Sequence, residues 1–209
     1  MESTIRGRAC LVNAGTESAF AQIEAGMGMC LADFFVQKVN MRNKLDRQNF
    51  SVGDWLVLSN AGGTNPCAAY LPLSGVNRNH ILVDQTLYWY IAQSENEALY
   101  ITGMINSRAL SEAIREHQPE GGFGARHIHT LPYKIIPSFN EDDPIHAEIV
   151  ERTRMLVDEW LAVCNVPNIG RYLNPNHGSL NSRRRKQQDA IKALPDYDAY
   201  EAACRTLFE

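Results

Sequence analysis

Residues 94–117 read "SENEALYITGMINSRALSEAIREH", and their periodicity decides the fold class. Ser94 followed by Glu97 has the spacing of a capping box, in which a serine hydroxyl and a glutamate carboxylate satisfy the first free N–H groups of a helix. Beyond it Leu99, Thr102, Ile105, Asn106 and Leu110 lie roughly along one helical face. Asn106-Ser107 divides the stretch into two helices, with Ser107 capping the second. Upstream the texture is β. "DWLVLSN" (54–60) is apolar and β-branched, "AGG" punctuates it, "CAAYLPL" (67–73) follows, and "GVNRNH" (75–80) reads as a turn. "ILVDQTLYWYIAQ" (81–93) is expected to supply two more short strands. Strand-like runs that give way to helical ones predict an α+β fold with a small, mostly antiparallel sheet and flanking helices.

Downstream, "LPYKIIP" (131–137) is expected to be the last strand, and "EDDPIHAEIVERTRMLVDEWLAVC" (141–164) is the clearest helix in the chain. Asp143 suits the N-cap and Pro144 the first helical position. Ile145, Ile149, Leu156, Trp160 and Cys164 form its apolar stripe, with Trp160 expected near the centre of a contact with the C-terminal helices. Ala190, Ile191 and Leu194 mark one later helix, and Tyr200, Ala203 and Leu207 another. The one composition boundary lies near Pro167. The expected organisation is an α+β domain over 1–166 and a helical appendage over 167–209 packed on it. Residues 1–36 read as short helices or irregular structure, and "GMGMC" (26–30) as a turn, since no G-x-G-x-x-G follows.

A chain of 209 residues with 44% hydrophobic and 21% charged side chains can bury a core without disulfides or metals. Its formal charge of −4 argues against binding DNA or membrane by bulk charge, so any nucleic-acid contact needs a local patch. The five cysteines are scattered with no C-x-x-C pair, which suits reduced thiols in a cytoplasmic protein. No apolar signal core opens the chain, and no run approaches a membrane span.

Four groups of residues carry chemistry. In "GGFGARHIHT" (121–130), Gly121, Gly122 and Gly124 permit close backbone approach, and Phe123 is placed to stack or wedge. Arg126 suits a guanine edge or a phosphate, and His127 and His129 suit phosphates. The competing reading is a mobile turn. His127 and His129 also form H-x-H, which on a strand puts both rings on one face, where Asp142, Asp143 and His146 would complete a metal site. Helix capping explains that acidic pair more simply. "RRRK" (Arg183, Arg184, Arg185, Lys186) is the one dense basic run, suited to DNA phosphates or to a solvated helix start. Tyr88, Trp89 and Tyr90 form an aromatic cluster in which alternation sets Trp89 opposite both tyrosines, and core packing accounts for one side. No nucleophile motif is present.

The order of "DQTLYWY", "ALYITGMINSRAL", "GGFGARHIHTLPYKIIP" and "DDPIHAEIV" resembles the C-terminal target-recognition region of large bacterial adenine-N6 DNA methyltransferases of restriction–modification and phage-defence systems. Type I restriction specificity subunits are similar in arrangement. The tail "LNPNHGSLNSRRRKQQDAIKALPDYDAYEAACRTLF" is similar to the closing segment of those methylases, so the likeness runs from about residue 50 to the end. The resemblance implies a sequence-recognition module for double-stranded DNA, with Phe123, Arg126, His127, His129, Lys134 and Arg183–Lys186 as contacts. It implies a methyltransferase catalytic domain in cis or in trans, and S-adenosylmethionine as that domain's cofactor. The adenine-gripping N-P-P-Y loop is not matched. "NPCAAY" (65–70) sets Cys67 and Ala68 where the motif needs other residues, and "NPN" (174–176) comes no closer. The chain itself is therefore expected to be non-catalytic, to hold no cofactor, and to be a fragment or a standalone recognition piece. The alternatives are a small metal-dependent hydrolase built on His127 and His129, or a protein-interaction domain presenting the long helix.

Overall fold

A computed structural model describes residues 25–26, 28, 48, 50, 54–60, 66–74, 83, 87–115, 131–174 and 176–209. The chain forms two compact units, 1–52 with 77–84, and 53–76 with 85–209. In the first unit Gly28 adopts φ +64°, the left-handed turn conformation that glycine takes most easily. There the Gln48 amide pairs with both backbone groups of Val83, at 2.7 and 2.9 Å, much as a neighbouring strand would. The second unit holds every described strand and all the major helices.

Three strands, β1 (Trp55–Asn60), β2 (Ala68–Pro72) and β3 (Leu87–Ala92), form an antiparallel sheet in the order β2-β1-β3. Val57 lies opposite Tyr70 on one side and Tyr90 on the other. The period-2 pattern therefore puts Trp55, Val57, Tyr70, Tyr90 and Ala92 on one face, where they join the main core. Trp89 points the opposite way from Tyr90, as alternation requires. Only one strand is seen within 81–93; residues 81–82 and 84–86 lie outside the described set.

Among the described residues seven helices follow the sheet: α1 (Glu95–Asn106), α2 (Arg108–Arg115), α3 (Leu131–Ile135), α4 (Pro144–Val163), α5 (Pro167–Gly170), α6 (Leu180–Ile191) and α7 (Tyr197–Thr206). The α+β class and the long helix after the last strand are thus as expected. The capping residues act through their own atoms. Ser94 Oγ accepts from Glu97 N–H at 3.1 Å, while the Glu97 carboxylate reaches one residue past the cap to Gln93 N–H at 2.7 Å and also accepts from Tyr90 Oη at 2.6 Å. Ser107 interrupts the helical run by accepting from Leu110 N–H at 3.0 Å and donating to Met104 C=O at 2.8 Å. Asp143 caps α4 through Ile145 and His146 N–H, with Pro144 in the first turn.

Helix α1 lies on the sheet and packs its other side on α4, which in turn packs on α7. Eight consecutive residues of α1, Ala98–Ile105, are buried, because sheet and helices enclose it on nearly every side. At the α1–α4 crossing a Cβ on Gly103 would collide with Thr153 Oγ1, so glycine is what permits this approach. The stripe of α4 buries Ile149 and Leu156, whereas Trp160 is half-buried at the margin of the core. The centre of the contact therefore lies one to three turns before Trp160. Residues 167–209 fall in the same compact unit as the sheet, with α7 against α2 and α4.

The reading of residues 131–137 is also corrected. "LPYKIIP" contains helix α3 and not a strand. Pro132 sits in the first turn, where its missing N–H costs nothing, and Ile136 N–H closes the turn on Pro132 C=O at 3.1 Å. Tyr133 stacks on Tyr90 at 6.3 Å and its hydroxyl lies 2.6 Å from Ser59 Oγ. An apolar run this short has no periodicity that separates helix from strand, and packing against β1 and β3 selects the helix.

Candidate nucleic-acid interface and the adjoining cleft

Helix α6 carries the basic run. Ser179 caps it, accepting from Ser182 N–H at 3.2 Å, and Arg183–Lys186 follow within the next two turns. Cations near a helix N-terminus oppose its macrodipole, so local structure does not explain them. Arg184, Arg185 and Lys186 are exposed, and none of the four forms an ion pair among the described residues. Arg183 differs: it is half-buried, with its Nε enclosed and unpartnered.

The segment before α6 is tied to it. Gln187 Nε2 donates to Tyr172 C=O at 2.8 Å. Arg171 lies over the Tyr172 ring at 4.8 Å, and His177 meets that ring edge-on at 5.5 Å. Residues 167–192 thus contain six Lys and Arg against one Asp, a local charge of +5 in a chain of −4, which leaves −9 on the rest. A basic segment is thus set in an otherwise acidic chain.

Next to this segment an open cleft of about 860 Å³ lies between the strand ends and α1, α4 and α6. Its apolar floor includes Leu156, Val157 and Ile191, with Trp160 at the side. Across it, Cys67 receives the field of Arg184. Burial pushes the Cys67 thiol above its ordinary range, and the Arg184 guanidinium pulls the other way without cancelling the rise. Asn106 lines the same cleft. Its amide accepts from Ala68 N–H and donates to Ala68 C=O, both at 2.9 Å, and so occupies the outer edge of β2.

The structure brings Arg183–Lys186 together on one helix. Lys134 is exposed on α3, a separate element. Phe123, Arg126, His127 and His129, with the whole glycine loop, lie outside the described residues. His146, a candidate ligand in the metal reading, is buried with both ring nitrogens engaged. Asn140 N–H donates to Nδ1 at 3.0 Å, and Nε2 lies 3.2 Å from Tyr100 Oη. A backbone N–H can only donate, so Nδ1 carries no proton here. Nε2–H then donates to Tyr100, which donates onward to Pro137 C=O at 3.1 Å. Asp143 is used as the α4 cap. Among the described residues no three His, Cys, Asp or Glu side chains converge as metal ligands.

Sequence reading passed over Arg171, Tyr172, His177 and Lys192. The first three look like ordinary loop residues; the charge excess of 167–192 as a block points to Arg171 and Lys192, while no local pattern marks Tyr172 or His177. Comparison with protein families, with curated proteins and with solved structures returned no match.

Proposed function

We propose that this chain is a DNA sequence-recognition module serving an adenine-N6 DNA methyltransferase of a restriction–modification or phage-defence system. The observation that carries the reading is the unpaired basic face of α6, set in a chain that is otherwise strongly acidic. Such a distribution orients a protein on a polyanion, and acidic surface elsewhere discourages indiscriminate binding. The order of motifs described above adds the methyltransferase context. In this reading Arg184, Arg185 and Lys186 grip phosphates, and the segment around Arg126 reads bases. The catalytic domain, in cis or in trans, supplies S-adenosylmethionine and the methyl transfer, and the module works in the cytoplasm. No described helix is long and apolar enough to cross a membrane.

Fluorescence anisotropy with a 20–30 base-pair duplex tests the reading, the length being about two to three helical turns. Duplex binding should weaken linearly on a log–log salt plot, and changing Arg184, Arg185 and Lys186 together to Gln should reduce the slope by about 2–3. The loss should be similar for every duplex sequence, since phosphate contacts are sequence-blind. A wild-type protein that binds no duplex at about 50 mM salt would sink the proposal.

A further inference from the structure

The cleft beside α6 has the size, charge and lining of a ligand site. Its volume of about 860 Å³ lies in the range of small-molecule sites. Among the described residues that line it, the charged ones are Arg108, Arg184 and Lys192, with no carboxylate. Arg108 shares its charge with Glu112 at 3.8 Å. Arg184 and Lys192 form no ion pair among the described residues. Two unpaired cations in the lining of a mostly apolar hollow, in a chain of net charge −4, call for an anion with an apolar body. The floor is not a hydrocarbon tunnel, because Gln188 and Ser111 interrupt it. A fatty acyl chain would leave such groups desolvated and unpaired, whereas a heterocycle offers them hydrogen-bonding edges.

We propose that the cleft binds a nucleoside phosphate, with its phosphate monoester held by Arg184 and Lys192 and its base against the apolar lining of Val157, Trp160 and Ile191. A free mononucleotide and the 5′-phosphorylated end of a nucleic-acid strand present the same chemistry. The assignment stands on the cleft lining, which excludes Arg185 and Lys186, and does not require the duplex reading.

Calorimetry on the full chain with AMP, adenosine, laurate and a 5′-phosphorylated trinucleotide tests it. AMP should bind saturably with a Kd below about 1 mM, and adenosine at least about tenfold more weakly. Lys192→Gln and Arg184→Gln should each weaken AMP about tenfold, while Arg115→Gln, outside the lining, should leave it unchanged. A trinucleotide that binds more tightly than AMP assigns the site to strand ends, and one that binds more weakly assigns it to the free nucleotide. Absence of saturable AMP heat, equal binding of adenosine, preference for laurate, or indifference to Lys192→Gln would overturn the proposal. Lys192 is an exposed side chain, and a far-ultraviolet circular dichroism spectrum identical to wild type certifies the fold of the variant. Loss of AMP binding with duplex binding intact would remove the cleft assignment alone, and the reverse result would remove the duplex reading alone.

Discussion

Asn106 commits its whole side-chain amide to one residue of β2, accepting from Ala68 N–H and donating to Ala68 C=O. The two bonds stand in for a missing strand at the sheet edge and join α1 to β2. Its neighbours divide the remaining work: Ile105 is buried in the core, and Ser107 ends α1 and starts α2. Asn106→Ala should cost about 1–2 kcal/mol in urea denaturation, the net worth of two partly solvated hydrogen bonds. Asn106→Asp should cost more than alanine at pH 7, because a carboxylate oxygen would face the Ala68 carbonyl oxygen. Below pH ~4 the protonated acid regains a donor, and the aspartate variant should become the more stable of the two. If aspartate and alanine behaved alike at every pH, the bidentate pairing would be wrong. The spacing of "INS" showed a helix break. It did not show that the asparagine clasps a strand 38 residues earlier.

At the scale of elements, the crossing of α1 and α4 rests on Gly103 facing Thr153. Glycine inside a helix sacrifices about 1 kcal/mol of propensity relative to alanine, so close packing has to outweigh it. Gly103→Ala should nonetheless destabilise by about 1–3 kcal/mol, since the new methyl group meets Thr153 Oγ1 within a packed core. Thr153→Ala in the same chain should recover part of that loss, and a double-mutant cycle measures the coupling. Additive costs would mean that the two helices separate freely and that the crossing is not set there. A second junction is made from a distance. The Glu201 carboxylate accepts from Arg108 N–H at 3.0 Å and from Tyr197 Oη at 2.7 Å, so α7 caps the start of α2 across 93 residues. Local spacing identifies Ser107 as a cap, while Glu201 looks like any exposed acid on a helix.

At the scale of the whole molecule, the described core is rich in tyrosines that resist ionisation. Burial, then the hydrogen bond to Glu97, pushes the Tyr90 phenol up to about 12. Burial raises Tyr100 and Tyr197 further still, and lifts Tyr200 well above the ordinary phenol range. A raised folded value means that the unfolded chain releases its protons first, near pH ~10. Each of these groups therefore contributes stability that is intact below pH ~10 and lost as the pH rises through the folded values. Urea denaturation at pH 7 to 11 should give a midpoint that starts to fall above pH ~8.5, where the unfolded Cys67 and Cys204 thiols ionise before the buried folded ones, and a steeper fall above pH ~9.5 as the unfolded phenols follow. A midpoint that stayed constant through pH 11 would show these phenols to be solvated.

Apolar β-branched runs between turn residues, and capping spacing, by themselves determined the three described strands, the change to helix at Ser94, the break at Ser107 and the start of α4. Each depends on neighbours within a few residues, where backbone geometry dictates which side chains meet. The excess of basic residues over 167–192 was equally present in the sequence, though its unpaired state was not. Only the tertiary structure decided that "LPYKIIP" turns as a helix, because so short an apolar run satisfies either period until Tyr133 finds Tyr90 and Ser59. Only it put Leu156 and Ile149 deeper than Trp160, aligned Arg184 with Cys67 across a cleft, and engaged both nitrogens of His146. These outcomes join residues far apart in the chain. Their energies come from burial and from hydrogen bonds that close only when the elements have docked, so no local pattern records them.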